Sequence, residues 1–262
     1  MKLESESTLE AWQPLPHVPP DSFKNKILFC ARLFLDLEVL TTYKDVKNFL
    51  KGTRNNVIEV GCGLKPYRHL VPPGVCYRAI DWERSQTCFH YKSSDVLYYS
   101  GDIFPLQDNS SDFIFHTEVL EHVYDLRLFI SECNRVLSAN GSMFFTVPFA
   151  ARYHYIPNDY WRFTPASLER LLKETGFNYV MVKPRGSDVA VAISKLNAIL
   201  FRLVLKRTGN PVSRIINMFF FGVLFIVPIA LLTIIGHVSI LLKIGSPDDP
   251  LGYSVYCGKT NE

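Results

Sequence analysis

Between residues 57 and 67 the chain reads VIEVGCGLKPY. A hydrophobic run ends in Glu59, followed by Gly61-Cys62-Gly63. Two glycines one residue apart let a backbone turn tightly and approach a ligand closely. Pro66 suits the first position of a following helix. Two acids stand where a nucleoside would need them. Asp81, in AIDWE, ends the next apolar run and can accept both hydroxyls of a ribose. Asp102, in SGDIFPL, can accept from an adenine amino group, with Ile103 packed on the ring. Further on, His122 lies in EVLEHV, and His154, Asp159 and Tyr160 lie in YHYIPNDYWRF. His122, His154 and Asp159 are the candidates for a general base toward a hydroxyl acceptor. Arg152 and Arg162 flank that last segment and suit a phosphate-bearing substrate.

These residues need a scaffold that brings their segments to one edge. Strands are expected at 56–62, 77–83, 96–103, 111–118, 141–149, 178–184 and 252–259, with helices at 123–137 and 164–177. Thr164, Pro165 and Gly176 cap the second of these helices. Such alternation implies an α/β fold with a mostly parallel sheet and helices on both faces. Ligands of such sheets bind at the carboxyl ends of the strands, where the glycines, Asp81 and Asp102 would all stand. Residues 1–22 read as irregular, and residues 23–50 as one or two amphipathic helices closed by Gly52.

VIEVGCG, AIDWE, GDIFPLQDNSSDFIFHTEVLEHV and LFISECNRVLSANGSMFFTVPF together resemble the S-adenosylmethionine-dependent methyltransferases of seven-stranded Rossmann-like fold. YHYIPNDYWRFTPASLERLLKETGF is similar to a type 11-like subgroup associated with bacterial surface polysaccharides. The resemblance covers about residues 50–185 and 248–260. It implies S-adenosylmethionine as cofactor and assigns roles by position. Glu59 takes the place of the acid serving the methionine amino group. Gly61, Cys62 and Gly63 line the methionine and ribose, Asp81 holds the ribose, and Asp102 with Ile103 the adenine. Thr117, Glu118 and Val119 face the methionine end. Lys65 departs from the common G-x-G-x-G spelling. A dinucleotide-dependent oxidoreductase would need G-x-G-x-x-G, and Pro66 occupies its third glycine. The competing readings are that oxidoreductase and a non-catalytic scaffold of the same fold.

The remaining chain carries a different signal. No acid occurs from Val189 to Pro247, yet Lys195, Arg202, Lys206, Arg207, Arg214 and Lys243 do. Residues 189–205 read as a helix, and 215–242 as an uncharged run long enough for a membrane. A basic, apolar, acid-free block suits an anionic membrane surface. Because the flanking strands share a sheet, both ends of the block must lie on one side of a bilayer. Pro228 is expected to break 215–242 into a hairpin that dips into one leaflet. The organisation expected is therefore a catalytic domain at 23–186 and 248–262, interrupted by a membrane-contacting insertion at 187–247.

Net charge is +3, too small to suggest a nucleic-acid partner. Six scattered cysteines form no C-x-x-C pair, and no metal site is expected. The N-terminal segment MKLESESTLE has no apolar core. It is not expected to direct secretion, and a reducing, cytoplasmic catalytic domain follows.

Overall fold

The computed structural model describes residues 15–89, 92–93, 95–101, 103–204 and 211–260. Its centre is a seven-stranded sheet in the order β3-β2-β1-β4-β5-β7-β6. The strands are β1 (Asn56–Val60), β2 (Cys76–Trp82), β3 (Leu97–Tyr99), β4 (Ser111–Thr117), β5 (Leu137–Pro148), β6 (Tyr179–Arg185) and β7 (Gly252–Gly258). β7 runs antiparallel between β5 and β6, and all other pairings are parallel. This is the seven-stranded Rossmann-like arrangement that the resemblance implies, and a mostly parallel sheet as the alternation of elements predicts.

Both faces of the sheet are buried, which is why its strands read as nearly continuous apolar runs. Alternate residues serve opposite layers. After the short helix α3 (Ser85–Cys88) come α4 (Leu126–Val136) and α5 (Pro165–Glu174), and Ile58, Ile80, Ile114, Phe145 and Val255 pack with these two through Ile130, Leu168 and Leu172. Val57, Phe115 and Phe144 pack with Val46 and Leu50 of α2 (Leu37–Leu50). The N-terminal helical region is two helices, α1 (Phe23–Leu35) and α2. Asp36 separates them, because its carboxylate accepts from the Glu38 and Val39 amides (3.1 and 3.2 Å) and so starts α2.

Three expectations need correction. The helix expected at 123–137 begins at Leu126, since Asp125 caps it by accepting from the Leu128 amide at 3.0 Å. Its last expected residue, Leu137, already belongs to β5, which starts four residues before Gly141. After the glycine turn there is no long helix at Pro66. One 3-10 turn, Arg68–Leu70, follows instead.

The third correction concerns the insertion. α6 (Asp188–Val204) and α7 (Pro211–Leu242) pack on each other, and α7 runs as one 32-residue helix through Pro228. The proline removes one backbone donor, but the helix continues through it, with packing beside it. Ile229 is buried, Thr233 Oγ1 donates to the Ile229 carbonyl (2.7 Å), and Asn197 Nδ2 of α6 donates to Thr233 Oγ1 (3.0 Å). The two packed arms are therefore α6 and α7, and 215–242 does not fold back on itself. Leu224–Leu242 is a 19-residue stretch long and apolar enough to cross a membrane. The same stretch also meets the domain. His237 Nε2 lies 2.8 Å from the Phe34 carbonyl, and a Cβ on Gly236 would come within 2.5 Å of Leu37.

Candidate functional site

β1, β2, β4 and β5 release their chains at one edge of the sheet, and most of the sequence-selected residues gather there. Gly61 and Gly63 both have positive φ (65° and 50°). Gly61 is further constrained by space, since a Cβ would meet Val119 Cγ2 at 2.6 Å. The Gly61 amide extends the β1–β2 ladder by donating to the Ile80 carbonyl at 2.9 Å. The Gly63 amide then donates to Asp81 Oδ2 at 2.9 Å, and the Trp82 amide to Oδ1 at 2.7 Å. Asp81 is buried, and burial raises its pKa while these amides oppose the rise.

Glu59 is buried under the glycine turn and accepts from the Tyr77 hydroxyl. Burial lifts its pKa to about 8 against that hydrogen bond. Cys62 is buried beside Glu59 and Asp81, and burial with their charges pushes its thiol pKa up, so it lines the site as a neutral group. Lys65, the departure in the glycine spelling, also has positive φ (56°). Its ammonium turns to Asp95, a carboxylate shared with Arg68. Ile103 follows β3 and is 69% exposed, as a platform for a flat ring would be. Asp102 lies outside the described residues.

The segment after β4 forms the other wall. Glu118 has positive φ (52°) and accepts from Arg185 Nη2 at 2.7 Å. Arg185, at the end of β6, is buried and also donates to Thr42 Oγ1 and to the Glu38 and Val147 carbonyls. Sequence reading missed Arg185, because a basic residue ending a strand carries no motif. Leu120–His122 is a 3-10 turn onto which the loop after β5 docks. The Tyr160 amide donates to the Glu121 carbonyl (2.8 Å), and Trp161 Nε1 to the Val123 carbonyl (2.9 Å). His122 Nδ1 donates to the Asn158 carbonyl at 2.5 Å.

That docking brings His122, His154 and Asp159 together, with the two imidazole centroids 5.0 Å apart. Burial lowers the His122 pKa to about 4, leaving a neutral ring. Because a carbonyl only accepts, its Nδ1 carries the proton and Nε2 a lone pair. Asp159 is clasped rather than open. Arg162 donates to both its oxygens (2.6 and 2.8 Å), and the His154 amide donates to Oδ2 at 3.0 Å. Burial pushes the Asp159 pKa up, but Arg162 and His154 outweigh it and hold the carboxyl well below its ordinary range. Arg162 spends its other hydrogen bonds on the Ala151, Arg152 and Trp161 carbonyls, so it ties the loop. Glu121 is fully buried, and among the described residues neither carboxylate oxygen has a hydrogen-bond partner. Sequence reading passed over it within EVLEHV, where nothing local marks its burial.

Residues 58–145 match the family model described as a methyltransferase domain. A probable S-adenosylmethionine-dependent methyltransferase of Mycobacterium tuberculosis is 28% identical over 103 residues, covering 37% of this chain and 36% of that protein. A similarly described protein of Mycolicibacterium smegmatis is 32% identical over 98 residues, covering 36% of this chain and 38% of that protein. The alignments thus span little more than a third of the curated relatives' length. Among solved structures, a SAM-dependent methyltransferase from Archaeoglobus fulgidus aligns with 18% identity and a TM-score of 0.49, covering 88% of this chain and 98% of that one. The matched segment holds every site residue from Glu59 to His122. The 150–163 loop and the α6–α7 hairpin lie outside it.

Proposed function

We propose that this chain, a methyltransferase domain over residues 58–145, transfers a methyl group from S-adenosylmethionine to an amphiphilic acceptor at the cytoplasmic face of a membrane. The donor set fits that cofactor. Two left-handed glycines open a close backbone approach, and buried Glu59 and Asp81 offer carboxylates to an ammonium and to ribose hydroxyls. When bound, the cofactor supplies an activated methyl on a sulfonium. The protein's task is then chiefly alignment. Glu59, Gly61, Cys62 and Gly63 line the methionine and ribose, with Asp81, Asp102 and Ile103 on the nucleoside. Glu118, fixed by Arg185, borders the methionine end. His122 and His154 face the acceptor side, and Asp159 orients His154.

One observation carries the amphiphilic acceptor. The α6–α7 hairpin leaves the sheet after Arg185 and rejoins it at Gly252, which pair with each other at the carboxyl edge. It therefore stands beside the site, and Lys195 of α6 donates to the Ala150 carbonyl where the 150–163 loop begins. Phe219, Leu224, Ile226, Val227 and Leu231 are exposed apolar side chains on that hairpin. Because the second half of Leu224–Leu242 packs on α1 and α2, insertion into one leaflet fits better than a full crossing. A glycan or lipid-linked sugar, of the kind handled by the polysaccharide-associated subgroup, matches a site so placed.

Isothermal titration with S-adenosylhomocysteine and with NAD tests the cofactor. Binding of the first supports the reading, binding of NAD alone overturns it, and binding of neither returns the chain to a scaffold. Flotation with anionic vesicles tests the membrane face.

A further inference from the structure

We infer that Glu121, His122 and His154 form a binding site for one divalent first-row transition cation, such as Zn2+ or Mn2+, with room for an acceptor oxygen as a further ligand. One ligand atom from each residue lies within 4.8 Å of the others, and among the described residues this is the only such group of three. Glu121 Oε1 and His122 Nε2 are 3.7 Å apart. Tetrahedral ligands each ~2.1 Å from a cation stand about 3.4 Å apart, so small side-chain rotations complete the set.

Two further observations point to a ligand. The Glu121 carboxylate is fully buried, and among the described residues neither of its oxygens has a hydrogen-bond partner. Buried polar groups are almost always satisfied, and an unpaired buried charge is costly. A cation between this carboxylate and two imidazoles would satisfy both. The imidazoles are also held as ligands are. His122 Nδ1 donates to the Asn158 carbonyl (2.5 Å). His154 Nδ1 lies 2.9 Å from the Arg152 carbonyl and 3.0 Å from Asp159 Oδ2. Metal-binding histidines are typically fixed in this way through the nitrogen that does not ligate. Two histidines and one carboxylate leave coordination positions open.

The use of those positions rests on the methyl-transfer reading above. A cation there polarises an acceptor hydroxyl and lowers its pKa, and the proton leaves to solvent water. This favours an oxygen acceptor and gives Asp159 the part of a positioning residue.

The test is calorimetric titration of chelator-dialysed protein with Zn2+ and Mn2+, with the Co2+ absorption spectrum as a second readout. We expect one ion per chain and a Co2+ spectrum of nitrogen and oxygen ligands. Affinity should fall roughly 100-fold in E121Q and H154A, and about 10-fold in D159N. Circular dichroism and S-adenosylhomocysteine binding check each variant's fold. His154 lies on a surface loop, so H154A serves even if E121Q unfolds. Wild-type protein binding no ion, or H154A binding it with unchanged affinity, overturns the inference. An ion bound without S-adenosylhomocysteine leaves the metal site standing and removes the methyl-transfer reading instead.

Discussion

The Gly63 amide donates to Asp81 Oδ2 at 2.9 Å, joining the turn after β1 to the end of β2 across 18 residues of sequence. The carboxylate thereby shapes the glycine turn, besides the ribose contact proposed for it. Asp81→Ala should weaken S-adenosylhomocysteine binding by about 1–3 kcal/mol, the usual cost of losing charged hydrogen bonds. Calorimetry measures the affinity, and a thermal melt separates turn loosening from lost contact. An unchanged affinity removes Asp81 from the site.

Glu59 makes binding and stability depend on pH. Its pKa is raised by burial from 4.5 to about 8. Between those values the folded chain keeps a proton that the unfolded chain has lost. Stability from this group is therefore full below about pH 4.5 and falls as pH rises toward about 8, by at most ~1.4 kcal/mol per pH unit. Glu59→Gln should flatten that slope in urea titrations at about pH 5 and about pH 8. A ligand ammonium draws the proton off, so cofactor binding near neutrality should release up to one proton. Calorimetry in buffers of different ionisation enthalpy reads it directly, and a heat independent of buffer contradicts the role.

Gly61 is constrained twice, by its positive φ and by Val119 at 2.6 Å from an added Cβ. Gly61→Ala should destabilise by roughly 1–3 kcal/mol, the cost of overpacking, with backbone strain added. Val119→Ala in the same chain should restore the packing part and leave the backbone part. Urea midpoints of the single and double variants decide, and equal loss in both would refute the contact.

The hairpin predicts a separable defect. Phe219→Glu and Val227→Glu place charges on exposed apolar positions of α7. Together they should abolish most co-flotation with anionic vesicles while S-adenosylhomocysteine affinity stays at the wild-type value. Undiminished flotation would place the membrane contact elsewhere.

Much of the sheet was legible in sequence because burial on both faces writes long apolar runs between glycine turns. NVIEVGC, YRAIDWE and SDFIFHTE end within one or two residues of their strands. Pro165 and Gly176 likewise mark the ends of α5, since backbone freedom there depends on residue type alone. Pro228 misled for the converse reason. A local rule counts the lost hydrogen bond, whereas α7 stays continuous with Ile229 buried and Thr233 tied to Asn197 of α6.

The sequence by itself determined the strand-turn pattern, the glycine cradle with Asp81, and the apolar basic insertion, all of which are local in composition or spacing. Tertiary structure alone decided the rest. It clasped Asp159 between Arg162 and His154, seated Arg185 against Glu118, and enclosed Glu121 beside two imidazoles from different loops. Burial and charge partnership belong to the surroundings of a side chain, and those surroundings come from segments far apart in the chain.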